Sequence, residues 1–150
     1  SFAFYVQRTD GSPPVWLGEG DGQALSPDGR SALAVLVHVQ PQQLVVAPTG
    51  AGETRTLEPG PVTRYSRAAW DPPGRRVVFA GIDGEDQERL YVQDLAGGPP
   101  RSVTEAGVTF AKIGRPVSPD GRRFLVLTPA GERTQAPLTV LVNWTAGLTN

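Results

Sequence analysis

The chain has 150 residues, 39% of them apolar and 19% charged, with 18 Gly, 15 Pro and no Cys. That length can hold one domain with a real core, and the lack of cysteine removes disulfides and thiolate metal sites. The net charge of −1 comes from 14 basic and 15 acidic residues spread evenly, which argues against a nucleic-acid surface, and no apolar run approaches the ~18 residues of a membrane-spanning helix.

The first elements are two short apolar runs, Phe4-Tyr5-Val6 and Val15-Trp16-Leu17, separated by a Gly-containing turn. Ser1-Phe2-Ala3-Phe4 has neither an initiator Met nor a basic leader, so the chain reads as a piece of a longer protein. Next comes Ala24-Leu25, then the turn Ser26-Pro27-Asp28-Gly29-Arg30. Pro27 presets the first corner, Asp28 bonds nearby backbone and Gly29 takes positive φ. A strand-like run follows over 33–39, then Leu44-Val45-Val46 and Arg55-Thr56-Leu57.

The same succession then repeats. Ala68-Ala69-Trp70 precedes Asp71-Pro72-Pro73-Gly74-Arg75, a variant turn with Asp71 in place of Ser and Pro73 in place of Asp. Pro72 and Gly74 keep their places, while the two replacements leave room for a different turn type. Runs 77–80, Leu90-Tyr91-Val92 and Arg101-Ser102-Val103 follow. A third cycle has a run at 113–117, the turn Ser118-Pro119-Asp120-Gly121-Arg122, a run at 124–127 and Leu138-Thr139-Val140. Ser26 and Asp71 are 45 residues apart, Asp71 and Ser118 are 47 apart.

Four short strands (a, b, c and d from the inside outward) in about 45 residues is the unit of a propeller blade. The expected fold is all-β: four-stranded antiparallel blades forming a partial β-propeller of a little over three blades. Residues 1–21 supply strands c and d of a first blade, 22–62 a second, 63–108 a third, and 109–150 a fourth, incomplete blade with a C-terminal tail.

The turn motifs, with Leu90-Tyr91-Val92-Gln93-Asp94-Leu95-Ala96-Gly97-Gly98 and Arg101-Ser102-Val103-Thr104 after the middle one, resemble the TolB-type WD40-like (PD40) repeat. The tail Leu138-Thr139-Val140-Leu141-Val142-Asn143-Trp144-Thr145-Ala146-Gly147-Leu148 resembles the close of the C-terminal propeller region of bacterial membrane-anchored serine/threonine kinases. These resemblances imply a bacterial, periplasmic or otherwise extracytoplasmic binding or sensing domain, with a cytoplasmic location not excluded. Alternatives are a segment of the gating propeller of a prolyl-oligopeptidase-like peptidase, and a purely structural scaffold.

No Gly-x-Ser-x-Gly, Gly-Lys-Ser/Thr or His-Glu-x-x-His motif occurs, and the sole histidine, His38, cannot form a His–His metal site. No catalytic residue, metal or cofactor is therefore expected of this segment. Asp28 and Asp120 occupy equivalent turns of different blades, so turn formation accounts for them better than acid–base work. The acidic run 83–88 lacks the ligand order of a calcium loop and reads as a solvated hairpin tip. Trp16, Trp70 and Trp144 read as core or inter-blade packing.

Variation is concentrated on one rim, at the b–c hairpins 40–43, 83–89 and 130–136 and the d–a connections 63–67 and 109–112. Loops that vary on a fixed scaffold can carry binding specificity. Arg64, Tyr65, Arg67 and Lys112 are the contact-capable residues there, with inter-blade ion pairs and hydrogen bonds as their structural alternative. The ligand is expected to be a protein or small molecule, without nucleic acid or membrane contact. The incomplete end blades are expected to self-associate or to be completed by blades of a parent protein.

Overall fold

The computed structural model describes residues 2–110 and 126–127. Its strands are β1 (Ala3–Val6), β2 (Val15–Glu19), β3 (Asp21–Leu25), β4 (Ser31–Leu36), β5 (Gln43–Pro48), β6 (Arg55–Thr56), β7 (Val62–Trp70), β8 (Arg76–Asp83), β9 (Glu88–Asp94), β10 (Arg101–Ser102), β11 (Thr109–Phe110) and β12 (Val126–Leu127). Two four-stranded antiparallel meanders, β3-β4-β5-β6 and β7-β8-β9-β10, are flanked by the pairs β1-β2 and β11-β12. This is the all-β, partial-propeller architecture: a half-blade, two full blades and the first strands of a fourth. The third turn (Pro119, Asp120, Gly121), Lys112, the loop 130–136 and Trp144 lie outside the described residues.

The two described a–b turns are closed in the same way, so the replacements in the middle one do not change its turn type. Gly29 N donates to Ser26 O and Gly74 N to Asp71 O, both at 2.9 Å, and both glycines have φ +71°. At the first turn, Asp28 Oδ1 accepts from Arg30 N at 2.9 Å and from Ser26 Oγ at 2.6 Å, while Ser26 Oγ accepts from Ser31 N at 2.9 Å. At the second, Asp71 Oδ1 alone accepts from Arg75 N at 2.8 Å and Arg76 N at 3.1 Å. One buried carboxylate thus replaces a hydroxyl–carboxylate relay, and Pro73 is free to occupy the former Asp position.

One correction concerns 63–67, expected as a connection. These residues lie inside β7. Register shifts between Val62 and Arg64 and between Tyr65 and Arg67 each insert one extra residue opposite β8. Val62, Tyr65 and Ala68 consequently all enter the core although they are three residues apart. A strand without bulges would show a period of two, so the sequence hides this strand.

Blades pack face to face. Leu33, Val35, Leu44 and Leu57 of the second blade meet Val62, Tyr65, Ala68, Val77, Phe79 and Tyr91 of the third. Phe79 lies between Tyr65 (centroids 5.2 Å, tilted at 57°) and Tyr91 (5.5 Å, 14°), and burying such a ring contributes about 1.5–3 kcal/mol. On the opposite face of the second blade, Phe4 packs with Ala32, Ala34, Val45 and Ala47. The small residues make room: a Cβ on Gly22 would sit 3.0 Å from that of Phe4.

Candidate binding surface

The two rims of the arc differ chemically. On the a–b turn rim the backbone closes on itself: Thr49 N donates to Arg30 O at 2.9 Å, and its third-blade counterpart Leu95 N to Arg75 O at 3.0 Å. A shallow groove of about 260 Å³ opens there between the blades, bordered by Pro27, Trp70, Pro73 and Arg55. The Ser26 hydroxyl and Asp28 carboxylate beside it are already engaged in the turn. The Ser26 hydroxyl and Arg30 amide hold the Asp28 carboxyl below the usual carboxylate range. Trp70 packs between blades as expected, its Nε1 donating to Ala24 O at 3.4 Å.

The opposite rim is built from side chains. The hairpin 84–87 between β8 and β9 is organised by Asp83, whose Oδ1 accepts from Glu85 N and Gln87 N, both at 3.0 Å. Its other oxygen accepts from the Arg89 guanidinium. The Gln87 amide, then the Glu85 amide and Arg89, hold the Asp83 carboxyl below its ordinary value. The first acidic residue of the run is therefore a hairpin organiser, whereas Gly84, Glu85, Asp86 and Gln87 are exposed as expected of a solvated tip. Asp86, with φ +60°, pairs with Arg64 at the start of β7.

Glu88 joins the third blade to the fourth. Its Oε1 accepts from Ser66 Oγ and from Thr109 Oγ1, the latter at 3.3 Å, and Gly107 N donates to its backbone oxygen at 2.8 Å. Gln42 joins the second blade to the third: its N donates to Thr63 O and its Oε1 accepts from Tyr65 N, both at 2.9 Å. Gln42, Ser66, Glu88 and Thr109 fall within the rim segments read from the sequence, but the links they make were not legible there, because their partners are 21–23 residues away.

Of the sequence-derived candidates, Arg64 is exposed on this rim, paired with Asp86. Arg67 is half-buried in β7 and engaged within the fold. Tyr65 is a correction: it is a core residue, buried against Phe79, and burial pushes its phenol up to about 12. The inward turn given to it by the bulges of β7 is the reason. His38 lies in the exposed turn after β4, on the same rim as Arg64. Trp16 is also a correction: it is 58% exposed on β2 and covered by no neighbouring blade among the described residues. No cluster of three or more His, Cys, Asp or Glu suited to a metal occurs among the described residues.

Sequential four-stranded meanders packed face to face define a propeller-type protein. The solved structure from Agrobacterium tumefaciens assigned as TolB has this fold at a TM-score of 0.56 and 19% identity over 71% of the chain. The chain spans about a third (36%) of that neighbour's length. No protein-family model matches the sequence, and no curated relative matches it either.

Proposed function

We propose that this chain is a non-catalytic binding module that engages a protein partner through the rim bearing Arg64, Asp86, His38 and Glu85. The supporting observation is the contrast between the rims. The a–b turns repeat one backbone hydrogen-bond pattern despite different residues, whereas the b–c hairpins present different exposed polar groups in each blade. Conserved geometry on one side and variable chemistry on the other is the division expected of a scaffold and its recognition surface. The exposed Arg64–Asp86 pair contributes little to stability, which leaves it available for exchange with a partner's charges.

A finer reading places the module outside the cytoplasm, in the C-terminal region of a bacterial receptor-type serine/threonine kinase. It is supported by the resemblance of 138–148 to such propeller tails. Kinase motifs in the coding sequence upstream favour this reading; a Gly-x-Ser-x-Gly motif downstream favours the peptidase. The binding role is tested by cross-linking mass spectrometry of the chain with proteins of its source cell. Cross-links confined to 37–42, 62–66 and 83–89, and weakened by Arg64→Glu, support it. Cross-links on the a–b turn rim, or turnover of a peptide or ester panel by the chain alone, overturn it.

A further inference from the structure

We propose that the groove between the second and third blades binds a short apolar zwitterion, a hydrophobic amino acid or dipeptide, with its ammonium on Asp28 and its carboxylate on Arg55. The groove opens on the a–b turn rim, away from the rim bearing Arg64, and has a volume of about 260 Å³. That lies just below the ~300–1,000 Å³ of pockets that take drug-sized ligands, so its occupant is small.

The floor of the groove is apolar. Val46, Trp70 and Leu95 line it and rest, half-buried, on the core between the two blades. The bond from Trp70 Nε1 to Ala24 O holds the indole in place. Pro27 and Pro73, both exposed, border this floor. A Cβ on Gly74 would sit 3.4 Å from Pro27 Cδ, so the two blades touch there and share one surface. An apolar group is what such a floor removes from water.

Two opposite charges line the same groove, and neither is neutralised. Both bonds that Asp28 accepts in its turn, from Ser26 Oγ and Arg30 N, end on Oδ1, and Oδ2 accepts none among the described residues. The Ser26 hydroxyl, then the Arg30 amide, hold this carboxyl below its usual range, so it is charged at neutral pH. Arg55 stands opposite Val46 across β5 and β6, and cross-strand partners share a face, which turns Arg55 toward the third blade. Its guanidinium has no ion-pair or hydrogen-bond partner among the described residues, Asp28 included. A carboxylate and a guanidinium held apart over an apolar floor complement a molecule with an ammonium, an apolar body and a carboxylate.

The repeat shows that the turn itself does not demand an exposed carboxylate. The third-blade turn closes on the buried Asp71, and Pro73 stands where Asp28 stands. Arg101 recurs at the place of Arg55, opposite Val92 as Arg55 is opposite Val46. Of the two described turns, only the first sets a free carboxylate oxygen in a groove with an arginine.

Nitrogen–proton correlation NMR of the 150-residue chain, titrated with leucine and with leucyl-leucine, tests the proposal. Saturable shifts are expected at the Trp70 indole N–H and the Gly74 amide, with a Kd on the order of 1 mM for the better probe. Acetylating the probe's ammonium or amidating its carboxylate is expected to weaken binding by about two- to fivefold, the worth of one exposed charge contact. Asp28→Asn, which keeps an oxygen for the turn, and Arg55→Gln are expected to cost the unmodified probe as much. Asp28→Asn should cost the acetylated probe nothing further, and Arg55→Gln the amidated one nothing further. Arg101→Gln should bind as the wild type does. Absence of saturable shifts with both probes overturns the proposal. So do saturable shifts that spare Trp70 and Gly74, blocked probes that bind as well as free ones, or an affinity untouched by Arg55→Gln.

Discussion

The side-chain oxygen of Gln42 lies 2.9 Å from the backbone N of Tyr65, and the backbone N of Gln42 lies 2.9 Å from Thr63 O. One residue of the second blade thus satisfies two backbone groups on the edge of β7, where no further strand of the same sheet pairs among the described residues. Gln23 repeats the device lower on the strand, its Oε1 accepting from Ala68 N at 3.2 Å.

From this follows the first expected outcome. Gln42→Ala removes the acceptor while leaving the donated backbone bond, and should destabilise the fold by about 1 kcal/mol, the net worth of one such bond. Gln42→Glu retains a side-chain oxygen and should lose less. Urea unfolding of the three proteins, compared at equal slope, reads the difference.

The Asp71 turn yields a second. Asp71→Ala strands the amides of Arg75 and Arg76, which its Oδ1 serves at 2.8 and 3.1 Å. A loss of about 1–3 kcal/mol is expected for half-buried donors left unpaired. Asp71→Ser combined with Pro73→Asp recreates the Ser-Pro-Asp-Gly arrangement of 26–29 and should recover most of it. Asp71→Ser alone should recover less, because it restores the hydroxyl of Ser26 without the carboxylate of Asp28. Thermal or urea midpoints of the four proteins check the order.

The comparison of these two turns also shows what the sequence could convey. Pro, Gly and their spacing reveal the blade repeat because turns are local, and their chemistry is written in adjacent residues. That Asp71 does the work of both Ser26 and Asp28 is a matter of atomic position, and the substituted letters point away from it. The bulges of β7 are concealed for a related reason: they change the apolar period from two to three, so Thr63, Arg64 and Arg67 look like loop. The rim links Gln42–Tyr65 and Glu88–Thr109 depend on how consecutive blades are juxtaposed, which no local pattern encodes. Tyr65 and Trp16 were therefore misplaced in opposite directions, one buried instead of exposed and one exposed instead of buried.

Titration should separate two groups. The Asp83 carboxyl is held below its ordinary value chiefly by the Gln87 amide, so its charged form stabilises the hairpin. That contribution is present above the unfolded carboxylate range and is lost as pH falls through the lower, folded value. Tyr65 behaves in the other sense: burial raises its phenol to about 12, while an unfolded tyrosine ionises near ~10. Stability should then fall as pH rises above ~10, because only the unfolded chain releases this proton there. Denaturation midpoints followed across pH should show both limbs. Asp83→Asn should flatten the acid limb, and Tyr65→Phe the alkaline one.

Gly81 offers the sharpest test of how tightly the third blade is packed. A Cβ built there would lie 2.9 Å from Val62 Cγ1, 3.0 Å from Val62 Cγ2 and 3.1 Å from Tyr91 Cδ2. Both neighbours belong to the core between the second and third blades, so neither can swing into solvent. Gly81→Ala should therefore destabilise by about 1–3 kcal/mol through overpacking, without any backbone penalty. Gly84, three residues on in the exposed hairpin, has nothing within 4 Å of such a Cβ. Gly84→Ala should stay within about 0.5 kcal/mol of wild type. The pair Gly81→Ala, Val62→Ala removes the closest contact, and its loss should be smaller than the sum of the single losses by about 0.5–3 kcal/mol. Strict additivity in that double-mutant cycle would mean that the β7–β8 register, with its two bulges, does not bring Val62 over Gly81.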